Sequence, residues 1–298
     1  VGTSKGWTGR MRGGRLGNAL LAAIIRSPLY WLTPPILFFV SFYFIFASPA
    51  GTRASFELAD RLGRGGNLWR RFLFLWRHNY VFGTLLVDRL AIVSGKADRY
   101  RFERPDPSLV APLEAGSGMI FLTAHLGSWD VMGQMLVVKR SIPVNLVMHV
   151  GLQPELRAML ERGRQFKVIE TDGSPATAAA LLDALGEGEM VAMMGDRLQA
   201  GEGIDVDLLG ARVRIPVGPF ALAAISRAPL VHAFAVRVGA RRYRFIANPV
   251  GELRYTDRRR KDEDHRRWAQ AYASQLEQLL REYPFQWGNF YSVWETQE

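Results

Sequence analysis

The stretch Gly118-Met119-Ile120-Phe121-Leu122-Thr123-Ala124-His125-Leu126-Gly127-Ser128-Trp129-Asp130-Val131 decides how the chain is read. Residues 119–123 form a short apolar run bounded upstream by Gly and Ser, the pattern of a buried strand. His125 falls at the carboxyl end of that strand. Leu126, Gly127 and Ser128 then make a tight turn, and Ser128 stands where it would cap a helix through Met132, Met135, Leu136 and Val138. Asp130 lies in the first turn of that predicted helix.

Residues five apart on one continuous helix point away from each other. A strand-turn-helix corner instead folds the Asp130 carboxylate back toward the His125 imidazole. There it would accept the Nδ1 proton, fix the tautomer and leave Nε2 to take a proton from an alcohol. The same spacing also fits a surface histidine beside a helix-capping aspartate, and spacing alone does not choose between the two.

The surrounding composition narrows the chemistry. With 298 residues, 48% hydrophobic and 22% charged, the chain has material for one large or two modest domains with a substantial core. It contains no cysteine, which excludes disulfides, thiolate nucleophiles and thiolate metal sites. A net charge of +10 points to acidic partners: nucleic acid, anionic lipid headgroups or phosphorylated cofactors. Lys5, Arg10, Arg12, Arg15 and Arg26 precede the first apolar run with no acidic residue among them, and basic residues flanking hydrophobic sequence favour a membrane surface over a nucleic-acid groove.

Residues 1–26 read as a basic, flexible N-terminus. Residues 27–52 carry no charge, and 36–47 are almost unbroken Leu, Ile, Phe, Tyr and Val. A bilayer core needs about 20 apolar residues. Pro34-Pro35 divides the segment, so it reads as a membrane-embedded helix, either a full span or a kinked, re-entrant one, with a buried core helix as the bland reading. Basic residues on both sides give no clean orientation and suit an interfacial segment with both ends in the cytoplasm. Residues 53–107 have helical spacing, with Arg70, Arg71 and Arg77 among Phe72, Leu75 and Trp76, as expected of an amphipathic region at a membrane surface or of a packing helix.

From 108 to 298 helices and strands alternate. Strands are expected at 143–150, 167–170, 189–194, 230–238 and 243–247. Helices are expected at 154–162, 176–185, 217–226 and 264–282. The alternation predicts an α/β fold, a mixed, largely parallel central sheet flanked by helices. Gly201-Glu202-Gly203 reads as a turn, and Arg258 to Arg267 as a solvated helix start.

The sequence offers little rival chemistry. No histidine pair has helical metal-ligand spacing, no Gly-x-Ser-x-Gly elbow occurs, and no Walker or dinucleotide fingerprint follows a strand. Two further polar groups stand out. Asp196-Arg197 follows the apolar strand ending at Met194, which puts it at the same sheet edge as His125. The pair suits a phosphopantetheine arm or a thioester carbonyl, or a structural ion pair. Arg212 and Arg214 alternate in an apolar strand and so share one face. That face suits a phosphate or an acidic carrier, or is simply a solvated strand edge.

With these pieces in place, the chain resembles the lipid A late acyltransferases, within the bacterial lysophospholipid acyltransferase-like superfamily. The resemblance rests on the His125-(four residues)-Asp130 motif, the N-terminal apolar anchor, the strand ending in Gly195-Asp196, the segment Ser226-Arg227-Ala228-Pro229-Leu230, and Tyr283-Pro284-Phe285-Gln286-Trp287. It runs from roughly residue 15 to 295. The tail from Gly288 to Trp294 departs from the His-Arg-Arg type of that branch, and 145–149 lacks its Tyr-Arg-Pro type of segment. The acceptor therefore stays open between a lipid A precursor and another lipid, glycolipid or pigment.

The resemblance implies a glycerolipid acyltransferase-like fold and a membrane-bound O-acyltransferase. His125 would be the general base and Asp130 its orienter. Gly127, Ser128, Asp196, Arg197, Arg212 and Arg214 would bind substrate or the oxyanion. It implies no metal and no bound cofactor. Acyl-ACP (acyl-carrier protein) or acyl-CoA would be the acyl donor, and membrane lipids or a glycolipid the acceptor, with no nucleic acid and with room for a pathway-enzyme partner. The protein would sit at the bacterial inner membrane with its site facing the cytoplasm. Two other classes fit the same residues: a non-catalytic membrane-surface lipid-binding module, and a thioesterase whose dyad activates water.

Overall fold

The computed structural model describes residues 23–24, 27–103, 118–128, 131, 143–149, 166–171, 174–198 and 201–294. Its chain divides into two compact units, one drawn from Val1–Arg101, Arg237–Tyr243 and Gln278–Val293, the other from Phe102–Val236, Arg244–Glu277 and Trp294–Glu298.

The first unit is mainly helical. Helix α1 (Thr33–Ala47) has prolines in its first turn. A proline there lacks only an N–H that has no intrahelical partner anyway, so Pro34-Pro35 starts the helix instead of dividing the apolar run, contrary to the expectation of a kink. Its inner stripe is Thr33, Leu37, Ser41 and Ile45, spaced by four. Leu37 meets Gly83 of α3 (Leu68–Ala91), where an added Cβ would lie 2.9 Å from a Leu37 methyl, so any larger residue would have to push that methyl aside. Phe38 and Phe42 pack on Trp76 of the same helix. The outer face of α1 is left bare: Phe39, Tyr43 and Phe46 are 70, 65 and 75% exposed. Helix α2 (Pro49–Arg61) connects α1 and α3.

Two buried polar groups order this unit. Asp88 accepts the hydroxyls of Tyr100 and Tyr243 and the Nε–H of Arg237. His78 is fully buried, its Nε2 2.7 Å from the carbonyl of Trp287 and its Nδ1 3.0 Å from the Ser55 hydroxyl, with Phe290 stacked on the ring. A carbonyl only accepts, so Nε2 carries the proton and Ser55 donates to Nδ1. Burial lowers the His78 pKa from 6.5 to about 4.

Most of the sheet belongs to the second unit. Among the described residues, seven strands run in the order β1-β9-β8-β2-β5-β3-β4, with β1 Arg101–Phe102, β2 Met119–Thr123, β3 Val144–His149, β4 Phe166–Thr171, β5 Met190–Met194, β8 Leu230–Gly239 and β9 Arg242–Gly251. The β2–β5, β2–β8, β3–β5 and β3–β4 pairs are parallel. This is the mixed, largely parallel α/β sheet that the alternation of elements predicts. One face of the sheet is a core of Met119, Phe121, Leu146, Phe166, Met190 and Val231 with their neighbours. Helices α4 (Pro175–Gly186), α5 (Gly218–Ser226) and α6 (Lys261–Glu282) alternate with these strands along the chain. Ser174 caps α4 by accepting the Thr177 N–H. The first turn of α6 carries Asp262, Glu263 and Asp264, favourable at a helix N-terminus.

A separate antiparallel hairpin joins β6 (Gly203–Leu208) to β7 (Ala211–Pro216). Gly203 therefore opens a strand and is not the end of a turn. The actual turn is Leu209-Gly210, both with positive φ, as a two-residue hairpin loop requires. The helices expected at 132–138 and 154–162, the N-terminal basic residues and the boundary between 107 and 108 lie outside the described residues.

Candidate active site

The site follows from a register. In the parallel β2–β5 pair Thr123 stands opposite Met194, so residues equally far beyond each strand end emerge side by side. Ala124 answers Gly195, and His125 answers Asp196. The ladder continues one step past the strands, the Gly195 N–H donating to the Thr123 carbonyl at 2.9 Å. At the next step a side chain takes over from the backbone. Asp196 accepts the His125 backbone N–H at 3.0 Å on one oxygen, and its other oxygen lies 2.8 Å from His125 Nδ1.

The Asp196 side chain is fully buried, while that of His125 is 24% exposed. An ionised carboxylate only accepts, so Nδ1 carries a proton and donates it to Asp196, and the neutral ring has its lone pair on Nε2. A buried carboxylate also stabilises the imidazolium that forms when Nε2 gains a proton. The pair has the arrangement that a histidine-carboxylate general base requires, at the carboxyl edge of a parallel sheet where such folds place their sites.

On its other side β2 departs from β8. Leu122 pairs with His232, yet the next bridge joins Gly127 to Ala235, so β2 advances five residues where β8 advances three. The two surplus residues loop out around His125, as in a bulge that re-aims a side chain. Gly127 closes the loop with φ +70°, and a Cβ there would lie 1.9 Å from the Ala235 carbonyl oxygen. No other residue fits this approach.

The other residues singled out in the sequence divide into those at this edge and those away from it. Asp196, expected to bind the acyl arm or a thioester carbonyl, has an oxygen on each of two His125 donors, and a carboxylate has nothing to donate to an oxyanion. The Ser128 N–H, expected among the oxyanion donors, donates to the Ala235 carbonyl at 2.8 Å and is used within the sheet. Arg197 follows Asp196 at the same edge. Arg212 and Arg214 lie on the hairpin, opposite Asp207 and Asp205. Arg214 Nε is 3.9 Å from Asp205, so this face carries its own counter-charges. Asp130 lies outside the described residues.

One residue at the site gave no sequence signal. Tyr272 of α6 is fully buried and donates its hydroxyl to the Thr123 carbonyl at 2.8 Å. Burial raises its pKa well above the usual value, and the Asp196 charge adds to the rise. Beside it, His232 has Nδ1 2.6 Å from the Gln275 side-chain oxygen, and burial lowers its pKa. An aromatic on a helix face at core spacing looks in sequence like any packing residue.

Comparison with known proteins gives the chain its relatives. Residues 101–296 match the family described as bacterial lipid A biosynthesis acyltransferase. A phosphatidylinositol mannoside acyltransferase of Mycobacterium tuberculosis is 27% identical over 126 residues, 41% of this chain and 40% of that protein. The protein of the same name from Mycolicibacterium smegmatis is 31% identical over 120 residues, 39% of each chain. The matched region spans about 40% of the length of these relatives.

Proposed function

The chain belongs to the bacterial lipid A biosynthesis acyltransferase family, and from that premise we propose that it moves a fatty acyl group from acyl-carrier protein or acyl-CoA to a hydroxyl of a lipid or glycolipid. The observation that carries this reading is the His125–Asp196 pair at the carboxyl edge of β2 and β5.

An alcohol pKa lies far above that of histidine, so proton transfer accompanies attack and does not precede it. Nε2 takes the hydroxyl proton as the oxygen attacks the thioester carbonyl, and Asp196 stabilises the imidazolium. The tetrahedral oxyanion needs donors, and Arg197 and the backbone near Gly127 are the available types of group. Collapse breaks the C–S bond, and the imidazolium returns its proton to the departing sulfur. The products are an ester and a free thiol. The resemblance gives Asp130 a further share in orienting the imidazole. The names of the relatives favour a glycolipid hydroxyl of the phosphatidylinositol mannoside kind as acceptor.

The helical unit supplies the membrane contact. Among the described residues, one helical stretch, Tyr30–Ala47, is apolar and long enough to cross a bilayer by length and composition. Yet α1 packs along α3, which carries Arg70, Arg71, Arg77 and Arg89. A crossing would draw that charged helix into hydrocarbon at a cost of several kcal/mol per charge. The pair therefore lies along the cytoplasmic leaflet of the bacterial inner membrane, with Phe39, Tyr43 and Phe46 inserted and Trp31 and Trp69 at the interface.

The test is acyl transfer by protein in liposomes, from labelled acyl-CoA or acyl-carrier protein to phosphatidylinositol mannoside or a lipid A precursor, with products identified by mass spectrometry. The expected product is the acylated lipid, lost about 10⁴-fold in His125→Ala. Wild-type turnover by that variant sinks the reading. Thioester loss without an ester product makes the protein a thioesterase instead.

A further inference from the structure

We propose that Tyr272 is a positioning residue for the His125–Asp196 pair, its hydroxyl holding the carbonyl of Thr123 and thereby the two strand ends from which the pair projects. The inference rests on the reading of His125 as the base.

The Thr123 carbonyl is the last acceptor of the β2–β5 ladder. It takes two hydrogen bonds, the Gly195 N–H at 2.9 Å from the neighbouring strand and the Tyr272 hydroxyl at 2.8 Å from α6. A carbonyl oxygen has two lone pairs, and here both are filled. Thr123 is two residues before His125, and Gly195 is one before Asp196. A single oxygen is thus the point at which both arms of the pair are tied, and α6 pins that point from outside the sheet.

The surroundings fit a brace. Tyr272 is wholly buried, with Phe234 stacked at 6.4 Å and His232 edge-on at 5.3 Å, so its ring has no room to swing. Gly195 lies directly against it: a Cβ at that position would sit 3.1 Å from two ring atoms and 2.8 Å from a Leu122 methyl. Glycine at 195 is what allows the hydroxyl to reach the carbonyl. The last hydrogen bond of a strand frays easily when water competes for it, and a buried second donor removes that freedom. The His125–Asp196 contact is then kept short through the backbone that carries it.

The experiment compares Tyr272→Phe with Tyr243→Phe, which also loses a buried tyrosine hydroxyl bond, here to Asp88. Tyr272→Phe is expected to lower kcat about tenfold with KM for donor and acceptor unchanged, as expected for a small misplacement of reacting groups. The loss should vanish in an Asp196→Asn background, because a brace has nothing left to position. Tyr243→Phe should lose comparable thermal stability and keep its kcat. Wild-type kcat in Tyr272→Phe, or a loss that adds in full to that of Asp196→Asn, overturns the proposal. Should Tyr272→Phe fail to fold, Gly195→Ala provides the second variant, since its methyl pushes the ring off the carbonyl and should reproduce the kcat loss; unchanged kcat there also overturns the proposal. The His125 Nδ1–H resonance decides the same point without turnover. It should shift in Tyr272→Phe and stay put in Tyr243→Phe. That readout stands even if His125→Ala proves active, so a failure of the base assignment and a failure of the brace are told apart.

Discussion

Two histidines of this chain, His125 and His78, are each held at a ring nitrogen by a hydrogen-bonding partner, yet they are suited to opposite ends. His78 is wholly enclosed, and both its ring nitrogens are engaged by neutral groups, Ser55 and the Trp287 carbonyl. With no carboxylate to offset desolvation, its pKa falls to about 4 and it stays neutral at physiological pH. His125 stands at a sheet edge with a buried carboxylate on Nδ1 and part of its ring open. The difference is the charge of the partner and the access to the ring. A histidine tied by neutral groups is a packing element with hydrogen bonds, whereas one tied to a carboxylate can accept a proton and keep it briefly.

The sharpest way to break this comparison is to delete each ring in turn. His125→Ala should lose about 10⁴ in acyl transfer with the thermal midpoint nearly unchanged, while His78→Ala should cost about 3 kcal/mol of stability and leave the per-molecule rate of the folded fraction intact. Loss of catalysis in the second without unfolding would erase the distinction. Next in size is Asp196→Asn. Its amide must turn a donor toward either the His125 N–H or Nδ1, and the wrong tautomer follows, so a fall of about 10³ in kcat is expected at unchanged fold. Steady-state kinetics with a circular-dichroism control decides it.

Acid sharpens the contrast from the side of His78. Its folded-state pKa of about 4 lies below the unfolded 6.5, so between those values the unfolded chain binds the extra proton. The stability it contributes is complete above pH 6.5 and is lost as pH falls toward 4, on the order of 3 kcal/mol in all. Denaturant titrations at pH 7 and pH 4.5 should show most of that loss, and His78→Asn should flatten it. The smallest effect is expected at the hairpin: Arg212→Gln and Arg214→Gln should change KM for the acyl donor less than threefold, since these exposed guanidiniums face Asp207 and Asp205 and surface pairs are worth about 0–1 kcal/mol. A tenfold rise in KM would return them to the donor site.

Much of the sheet is legible in the sequence because its strands are short apolar runs with polar ends. Residues 119–123 and 190–194 are both of this kind, and each is followed by one small residue and then by His125 or Asp196. Their placement at one edge is readable. Their hydrogen bond is not, because it depends on the stagger of strands 71 residues apart, a tertiary quantity. The equal two-residue offset from each strand end was the available clue. Asp130, five residues from His125 in sequence, lies outside the described residues, and its share in orienting the ring rests on the resemblance. Strand β6 was missed although Ile204, Val206 and Leu208 alternate with Asp205 and Asp207, since the glycines ahead of it drew the reading to a turn. The Tyr283 to Trp287 segment is among those on which the resemblance rests, and its described hydrogen bonds tie neighbouring backbone and a buried ring. Gln286 exchanges hydrogen bonds with the backbone of Arg237 like an extra strand residue, and the Trp287 carbonyl holds His78.

The stagger of β2 against β5 has one more consequence, for which changes of length the protein can tolerate. His125 and Asp196 meet because the same number of residues separates each from its last paired strand position. Inserting one residue after Thr123 alone, or after Met194 alone, turns one partner to the opposite side of the sheet and leaves every strand intact. Inserting one after both restores the count but carries both side chains to the opposite face. The pair is therefore written in the chain as an equality between two short distances, and a lone insertion is the lesion that breaks it most cleanly.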